Sequence, residues 1–600
     1  MVFPRRGARG TSADAPAGAG LLLGAARHSA GRTATVFLCS ALSAGASLAL
    51  PAVTGRTLDA LLGQEGGARW WLLVCAAVIT AEVALDALVA LVSGVTNARS
   101  TAWLRTRALT GLLAAEPGRA ARLSPGEVAS RLSANATEAG NAPATAASLA
   151  ASLLAPAGAL VALFLIDVWT ALAFLAGLPL LVLVLRAFTR GSSDSVARYQ
   201  RVQSDIASRL VEALAGARTI AAAGTEERER DRILAPLPEL AVQGRRMWRV
   251  HGRAVAHSGV LMPLLTTGVL AVGGIALAAG RISVGELLAA SRYAALAAGI
   301  GAGAGLLASL VRSRSAARRT AELVTLPAMA YGSTPLPSGG PGTLELRGVR
   351  VVRDGRTLLG GVDLVVPGGT SAAVVGRSGA GKSTLAAVAG RLADPDGGQV
   401  LLDGVRLESV PHGQLRQEVG YAFERPVLFG DTIGEALASG VERASASRVR
   451  EAAVAASADA FVTLLPRGYD TPRAEAPLSG GELQRLGLAR AFAHAGRLLV
   501  LDDATSSLDT VTERQVERAL SHDVRAGTRL IIAHRLSSAV RADQVIWLEE
   551  GRVRAVGPHT LLWRFPDYRA VFATPDTPLE TGPGTPSDTA EDPFLKRTGR

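Results

Sequence analysis

The sequence predicts two unlike domains: an all-α membrane domain of six helices, followed by an α/β domain built around a phosphate-binding loop. Three observations predict this. Six apolar runs, each near the ~20 residues that cross a bilayer, crowd the first half of the chain. A Pro/Gly/Ser-rich break at 331–343 then gives way to short β-rich runs alternating with helical ones. Within that second texture, Gly376 to Ser383 fits the pattern G-x-x-x-x-G-K-[ST].

Composition agrees with this division. At 600 residues the chain is too long for one core. Hydrophobic residues make up 48% and charged residues 19%, with only 4% aromatic. The mean hydropathy of +0.27 is high for a soluble chain of this size. This excludes a disordered or collagen-like chain. The net charge of +12 would suit nucleic acid, but it suits Arg-rich loops beside a membrane equally well. Cys39 and Cys75 both sit inside apolar runs, so they build neither a disulfide framework nor a zinc cluster. Of 63 basic side chains only Lys382 and Lys596 are lysines, so the lysine inside the folded region has a role that arginine's planar fork does not fill.

Residues 1–32 carry several arginines and no early apolar core, which predicts a cytoplasmic N-terminal segment without cleavage. The apolar runs fall at about 33–55, 70–95, 145–166, 168–188, 255–279 and 287–311. Asp167 alone separates the third from the fourth, which suits a tight turn. With the N-terminus inside, the connections 96–144 and 189–254 are cytoplasmic and hold most of the loop arginines, whereas the outer loops keep Arg56, Arg69 and Arg281. That is the positive-inside bias, and it places both ends of the chain in the cytoplasm. Glu82 and Asp86 lie four residues apart in the second run, hence on one helix face near mid-membrane. Such groups serve a substrate or proton path, pair with an arginine such as Arg292, or line a wet cavity.

The expected divisions are a membrane domain over 33–325, a linker over 326–343, an α/β domain over 344–572, and a disordered tail over 573–600. In the α/β domain the candidate phosphate contacts are Gly376, Arg377, Ser378, Gly379, Ala380, Gly381, Lys382, Ser383 and Thr384. Glycines let backbone N–H groups surround a phosphate, Lys382 reaches the β- and γ-phosphates, and the Ser383 hydroxyl sits on Mg²⁺. The run "RLLVLDD" at 497–503 is an apolar strand ending in two carboxylates, at the strand end where ligands bind in open α/β sheets. Asp502 would hold Mg²⁺, and Asp503 stands where a base or water-orienting group belongs.

Between these lies "LSGGELQRLGLARAF" at 478–492, which resembles the signature motif of ATP-binding cassette (ABC) proteins. The order that follows resembles the same family: the acidic pair, then "ATSSLD" at 504–509, then "IIAHRLSS" with His534. Three segments of the first half, at 123–138, 210–230 and 281–296, look like parts of exporter-type half-transporters. The resemblance implies a dimer in which two ATP domains sandwich two ATP molecules. Ser479, Gly480 and Gly481 would then contact the γ-phosphate on the partner's phosphate loop. His534 would touch the γ-phosphate of its own chain, and Asp509 would link the two sites. Lipid bilayer, a second half-transporter subunit and an unidentified substrate are the implied partners, with no nucleic acid.

Three positions depart from the family pattern. Asp503 stands where most members have a catalytic glutamate, Glu424 where a glutamine near Mg²⁺ is expected, and Arg353 where an adenine-stacking aromatic is expected. The first two predict an own-chain site that binds ATP but hydrolyses it poorly, beside an intact signature. A heterodimer is therefore favoured over a homodimer. Two rival readings keep the fold, a nucleotide-sensing regulatory subunit and an importer. A soluble ABC ATPase of DNA repair or translation is opposed by the six apolar runs.

Overall fold

In the computed structural model, the structure describes residues 17–63, 67–440, 445–494, 496–522, 524 and 527–572. They fall into two compact units, one of Met1–Leu113 and Ser124–Thr325, the other of Ala114–Leu123 and Leu326–Arg600. The tail expected over 573–600 lies outside the described residues.

The first unit is helical. A helix over Ala17–His28 ends in Arg27 and His28, which favour the negative end of its dipole. Ala30–Leu62 and Ala68–Ala114 follow, and with the broken run Pro125–Ile166 they are long and apolar enough to cross a membrane. The remaining apolar runs lie in the helices Val168–Ala215, Leu237–Ala278, Val284–Ala297 and Ile300–Val324. Parts of 180–197, 250–262 and 300–304 have side chains outside the described residues. None of the most apolar stretch of Ala68–Ala114 is buried within the chain, as a helix facing lipid or a second subunit requires.

Polar residues fix where these helices begin. Asp167 accepts from Thr170 N at 3.0 Å, caps Val168–Ala215 and pairs with Arg281 at 3.1 Å. Ser283 and Glu286 form a reciprocal capping box at the start of Val284–Ala297. A π-helical turn over Arg131–Asn135 carries the buried Arg131, whose guanidinium meets Glu127 and Glu322 at 2.6 Å each. The core is made largely of small residues, among them Ala159, Ala171, Ala289, Ala290 and Ala294 around Phe174 and Tyr293. Where the helices Ala30–Leu62 and Val284–Ala297 meet, Gly55 faces Gly285 and Asp59 accepts from Ser283 Oγ at 2.5 Å and Gly285 N at 2.7 Å.

The second unit holds ten strands: β1 Leu344–Arg353, β2 Arg356–Val366, β3 Ser371–Val375, β4 Gly397–Leu402, β5 Val405–Arg406, β6 Val419–Phe423, β7 Leu498–Asp502, β8 Thr528–Ile532, β9 Gln544–Glu549 and β10 Arg552–Gly557. They form a four-stranded antiparallel sheet, β2-β1-β4-β5, and a six-stranded sheet, β10-β9-β3-β8-β7-β6. The larger sheet is parallel from β9 to β6. A helical cluster over Ile433–Ala438, Ala446–Ala455 and Gly480–Ala493 packs on its own alanine-rich core. The expected linker contains neither helix nor strand between 329 and 343, yet it is docked along its length. Gly332 N donates to Glu408 O at 2.9 Å, Leu336 is buried, and Tyr331 stacks under the buried Arg391 guanidinium at 4.3 Å. Residues 114–123 differ from the expected division, because they join this unit: Ala115 bridges Ala328, and Glu116 meets Arg353.

The Gly55–Gly285 crossing generates a prediction. A Cβ at Gly285 would lie 2.0 Å from the Gly55 carbonyl oxygen. Gly285→Val should cost about 1–3 kcal/mol through overpacking, read as a lower thermal midpoint of the detergent-solubilised chain. An unchanged midpoint would show that the two helices part without penalty.

Candidate functional site

The C-terminal ends of the parallel strands gather the candidate residues. β3 is buried at four of its five positions and leads into the loop Gly376–Gly381, from which the helix Lys382–Ala389 starts. Gly381 has φ +98°, and a Cβ there would come within 2.7 Å of Leu358 O, so only glycine fits the turn. Arg377, Ser378 and Gly379 form its exposed rim. Lys382 is 6% exposed and folds back, its Nζ donating to Gly376 O at 2.8 Å and Arg377 O at 3.1 Å. Burial holds its ammonium below the usual lysine range, and the charges of Asp503 and Asp502 oppose that shift. The loop thus presents a helix N-terminus, backbone N–H groups and one desolvated cation, which is a site for a polyphosphate.

β7 is fully buried from Leu498 to Leu501 and surfaces only at Asp502. There Ser383 Oγ donates to Asp502 Oδ1 at 2.9 Å, and Tyr421 Oη, from β6, donates to Oδ2 at 3.2 Å. Burial and the Asp502 charge push the Tyr421 phenol up, so it remains a donor. Asp503 follows with φ +51°, a left-handed conformation that costs a residue with a Cβ of order 1 kcal/mol or more. Burial raises the Asp503 carboxyl, the nearby charges of Glu424 and Asp502 raise it further, and His534 and Lys382 pull it back. Asp503, Glu424, His534 and Lys382 therefore share one electrostatic neighbourhood. His534 is exposed just beyond β8, and Glu424 is exposed just beyond β6, its carboxylate 3.6 Å from Arg425.

Ser479 caps the helix Gly480–Ala493: its Oγ accepts from Glu482 N at 3.3 Å and donates to the Glu482 carboxylate at 2.7 Å. Those bonds hold the Glu482 carboxyl below the usual range. Ser479 and Gly480 are exposed and Gly481 is half-buried, leaving a helix N-terminus open to solvent. Asp509 caps Thr510–His522, accepting from Val511 N at 3.0 Å and Thr512 N at 2.8 Å. The partners of Ser479 and Asp509 are thus residues of their own helix starts.

Arg353 and the membrane carboxylates have specific partners. The Arg353 guanidinium is divided between Glu116 at 2.9 Å and Asp396 at 3.0 Å, with Glu116 only 7% exposed. A buried carboxylate requires such a partner, so this arginine is already committed within its unit. Glu82 accepts a short hydrogen bond from Ser47 Oγ, and Asp86 accepts from Ser43 Oγ at 2.6 Å. Both carboxylates thus face the helix Ala30–Leu62, with serines, not Arg292, as their partners.

Two positions bonded to the candidate site escaped the sequence reading. Gln484 is 2% exposed, and its amide nitrogen lies 3.2 Å from Glu424 O, 3.4 Å from Asp503 O and 3.2 Å from Ser506 Oγ. Its Oε1 accepts from Ser507 N at 2.9 Å, tying the helix Gly480–Ala493 to both loops. The signal was present: Gln484 shares helical spacing with the buried Leu488 and Ala491, so it is a polar residue on an apolar face. Tyr421 gave no such signal, because a tyrosine inside a strand is ordinary.

Similarity to known proteins extends over both units. Residues 33–299 match the family model described as ABC transporter transmembrane region, and 359–506 match the model described as ABC transporter. The ABC transporter ATP-binding protein RamA of Streptomyces coelicolor is 61% identical over 537 residues, covering 90% of this chain and 84% of RamA. The ATP-dependent lipid A-core flippase of Pseudomonas putida is 43% identical over 227 residues, 37% of this chain and 38% of the flippase. The solved structure of a bacterial Atm1-family ABC exporter with ATP bound superposes with a TM-score of 0.74 at 25% identity, covering 91% of this chain and 98% of that one.

Lys382→Ala removes the one cation buried in the phosphate loop. Photolabelling of the full chain by an azido-ATP analogue should be lost, and labelling equal to wild type would refute the assignment of Lys382.

Proposed function

The chain belongs to the ABC transporter family as an exporter-type half-transporter that couples ATP hydrolysis to membrane transport, and from that membership we propose that it works with a different subunit. In this reading its own ATP site is a holding site and its signature serves the partner's site. The observation that carries the reading is Asp503, on a left-handed turn directly after Asp502. Its side chain is one methylene shorter than the glutamate of the family pattern, and a carboxylate that misses the attacking water forfeits typically 10²–10⁴-fold in rate. The exposed Glu424 adds negative charge beside the same carboxylate.

A Mg²⁺ ion accompanies the nucleotide in this reading. The donors suit it: a hydroxyl and a carboxylate 2.9 Å apart, both hard oxygen ligands, lie where the phosphate loop meets β7. Ser383 and Asp502 would hold it, and when bound it would neutralise phosphate charge. Lys382 releases Gly376 O and Arg377 O to meet the phosphates. Ser479 to Gly481 offer an open helix N-terminus to the nucleotide on the partner subunit.

The arginine bias of the expected inner loops supports a cell-membrane protein with its N-terminus and ATPase unit in the cytoplasm. The transported class is a small molecule, a lipid or a peptide, moved outward or flipped. One relative carries the name of a lipid A-core flippase.

The test uses the chain in lipid nanodiscs, alone and with its co-purifying partner. Ser479→Ala should suppress the ATPase of the pair by about 10-fold or more, as loss of a transition-state contact does, while Asp503→Asn should change it little. Robust ATPase from the lone chain, abolished by Asp503→Asn, would overturn the asymmetric model.

A further inference from the structure

Both carboxylate oxygens of Asp502 are occupied, by hydroxyl groups from two separate elements. Ser383, at the start of the helix Lys382–Ala389, takes Oδ1 at 2.9 Å, and Tyr421, in β6, takes Oδ2 at 3.2 Å. The strand pairing explains the second contact. β6 and β7 run parallel with Phe423 opposite Asp502, and Tyr421 lies two residues earlier on the same face of β6. The Tyr421 ring is itself held. It lies 4.5 Å from the Phe423 ring, and a Cβ at Gly390 would come within 2.9 Å of Tyr421 Cδ2. Its hydroxyl therefore approaches the carboxylate from a fixed direction. An ionised carboxylate only accepts, so the phenol is the donor.

A carboxylate at a strand end has free rotation about its side-chain torsions unless something restrains it. Ser383 cannot supply that restraint during function, because its hydroxyl is itself a candidate ligand for the same cation. Tyr421 has no such second duty. We propose that Tyr421 is a positioning residue that fixes the orientation of Asp502 and so sets the affinity of the Ser383–Asp502 pair for the divalent cation that accompanies the nucleotide. This rests on the Mg²⁺ reading given above. Outer partners of metal ligands are worth typically 10–100-fold in metal affinity. The proposal is independent of whether Asp503 supports hydrolysis.

The test is Tyr421→Phe in the full chain in nanodiscs, which deletes one hydroxyl and keeps the ring between Phe423 and Gly390. Mn²⁺ serves as the probe, titrated by electron paramagnetic resonance with a non-hydrolysable ATP analogue present. The variant should bind Mn²⁺ about 10–100-fold more weakly, while azido-ATP labelling in EDTA and the thermal midpoint stay as in wild type. Mn²⁺ affinity equal to wild type would overturn the proposal. If the phenylalanine chain melts early, Phe423→Leu supplies the control: it loosens the ring without removing the hydroxyl. Weakening of Mn²⁺ binding as large as that of Tyr421→Phe would assign the effect to packing and overturn the role of the hydroxyl. A wild-type chain that takes up nucleotide but no Mn²⁺ would refute the metal reading itself, an outcome distinct from equal affinities in the two chains.

Discussion

The ATPase unit depends on one convergence, at the carboxylate of Asp502. β7 is buried on both faces, so its chain offers no polar group until the strand ends. At that end it lies between β8 and β6 and faces the start of the helix that follows the phosphate loop. The hydrogen bond to Ser383 spans 119 residues and the one to Tyr421 spans 81. A buried parallel strand is specified by its apolar run, and the carboxylate marks where that run stops. Lys382, in the phosphate loop, and Asp502, at the strand end, are near enough for the Asp502 charge to act on the buried ammonium.

The next residue carries the strain. Asp503 has φ +51°, and such a conformation persists where its surroundings over-determine it. Gln484 and Ser506 N both bond to the Asp503 carbonyl. A primary amide has two N–H groups, and here three acceptors surround it, the carbonyls of Glu424 and Asp503 and the hydroxyl of Ser506. The helix that begins at Ser479 is thereby bonded to the turns that carry Glu424, Asp503 and Ser507. Gln484 therefore connects that helix directly to the turn that follows Asp502. The raised Asp503 carboxyl and the lowered Lys382 ammonium share a cause, desolvation, and each charge partly offsets the shift of the other.

In the membrane unit the governing constraint is different. Water is absent from the hydrocarbon, so helices associate through close packing and through polar groups that satisfy one another. Gly55 against Gly285 lets two backbones touch, and Asp59 joins them by capping the second helix. Ser43 and Ser47 meet Asp86 and Glu82 with the same four-residue spacing on both helices. Carboxylates within an apolar helix are expensive unless bonded, and serine is small enough to bond them without separating the helices.

The sequence by itself determined the elements and the motifs. Apolar run length marked the helices, the run "RLLVLDD" marked β7, and G-x-x-x-x-G-K-S marked a loop whose geometry its own glycines dictate. These are local properties, set by spacing within about ten residues. Tertiary structure decided the partners. Arg353, which stands where the resemblance expects an adenine-stacking aromatic, is bonded to Glu116, a residue 237 positions away in a segment that sequence division had assigned to the membrane domain. Glu82 found serine where an arginine was equally allowed, and the glycine- and proline-rich break at 331–343 proved docked through Tyr331 and Leu336. Tyr421 reached Asp502 only because β6 lies next to β7 in the sheet, an order that the sequence does not contain. Local pattern fixes what a residue can bond, but which group satisfies it depends on strand order and helix crossing, which arise from burial of the whole chain.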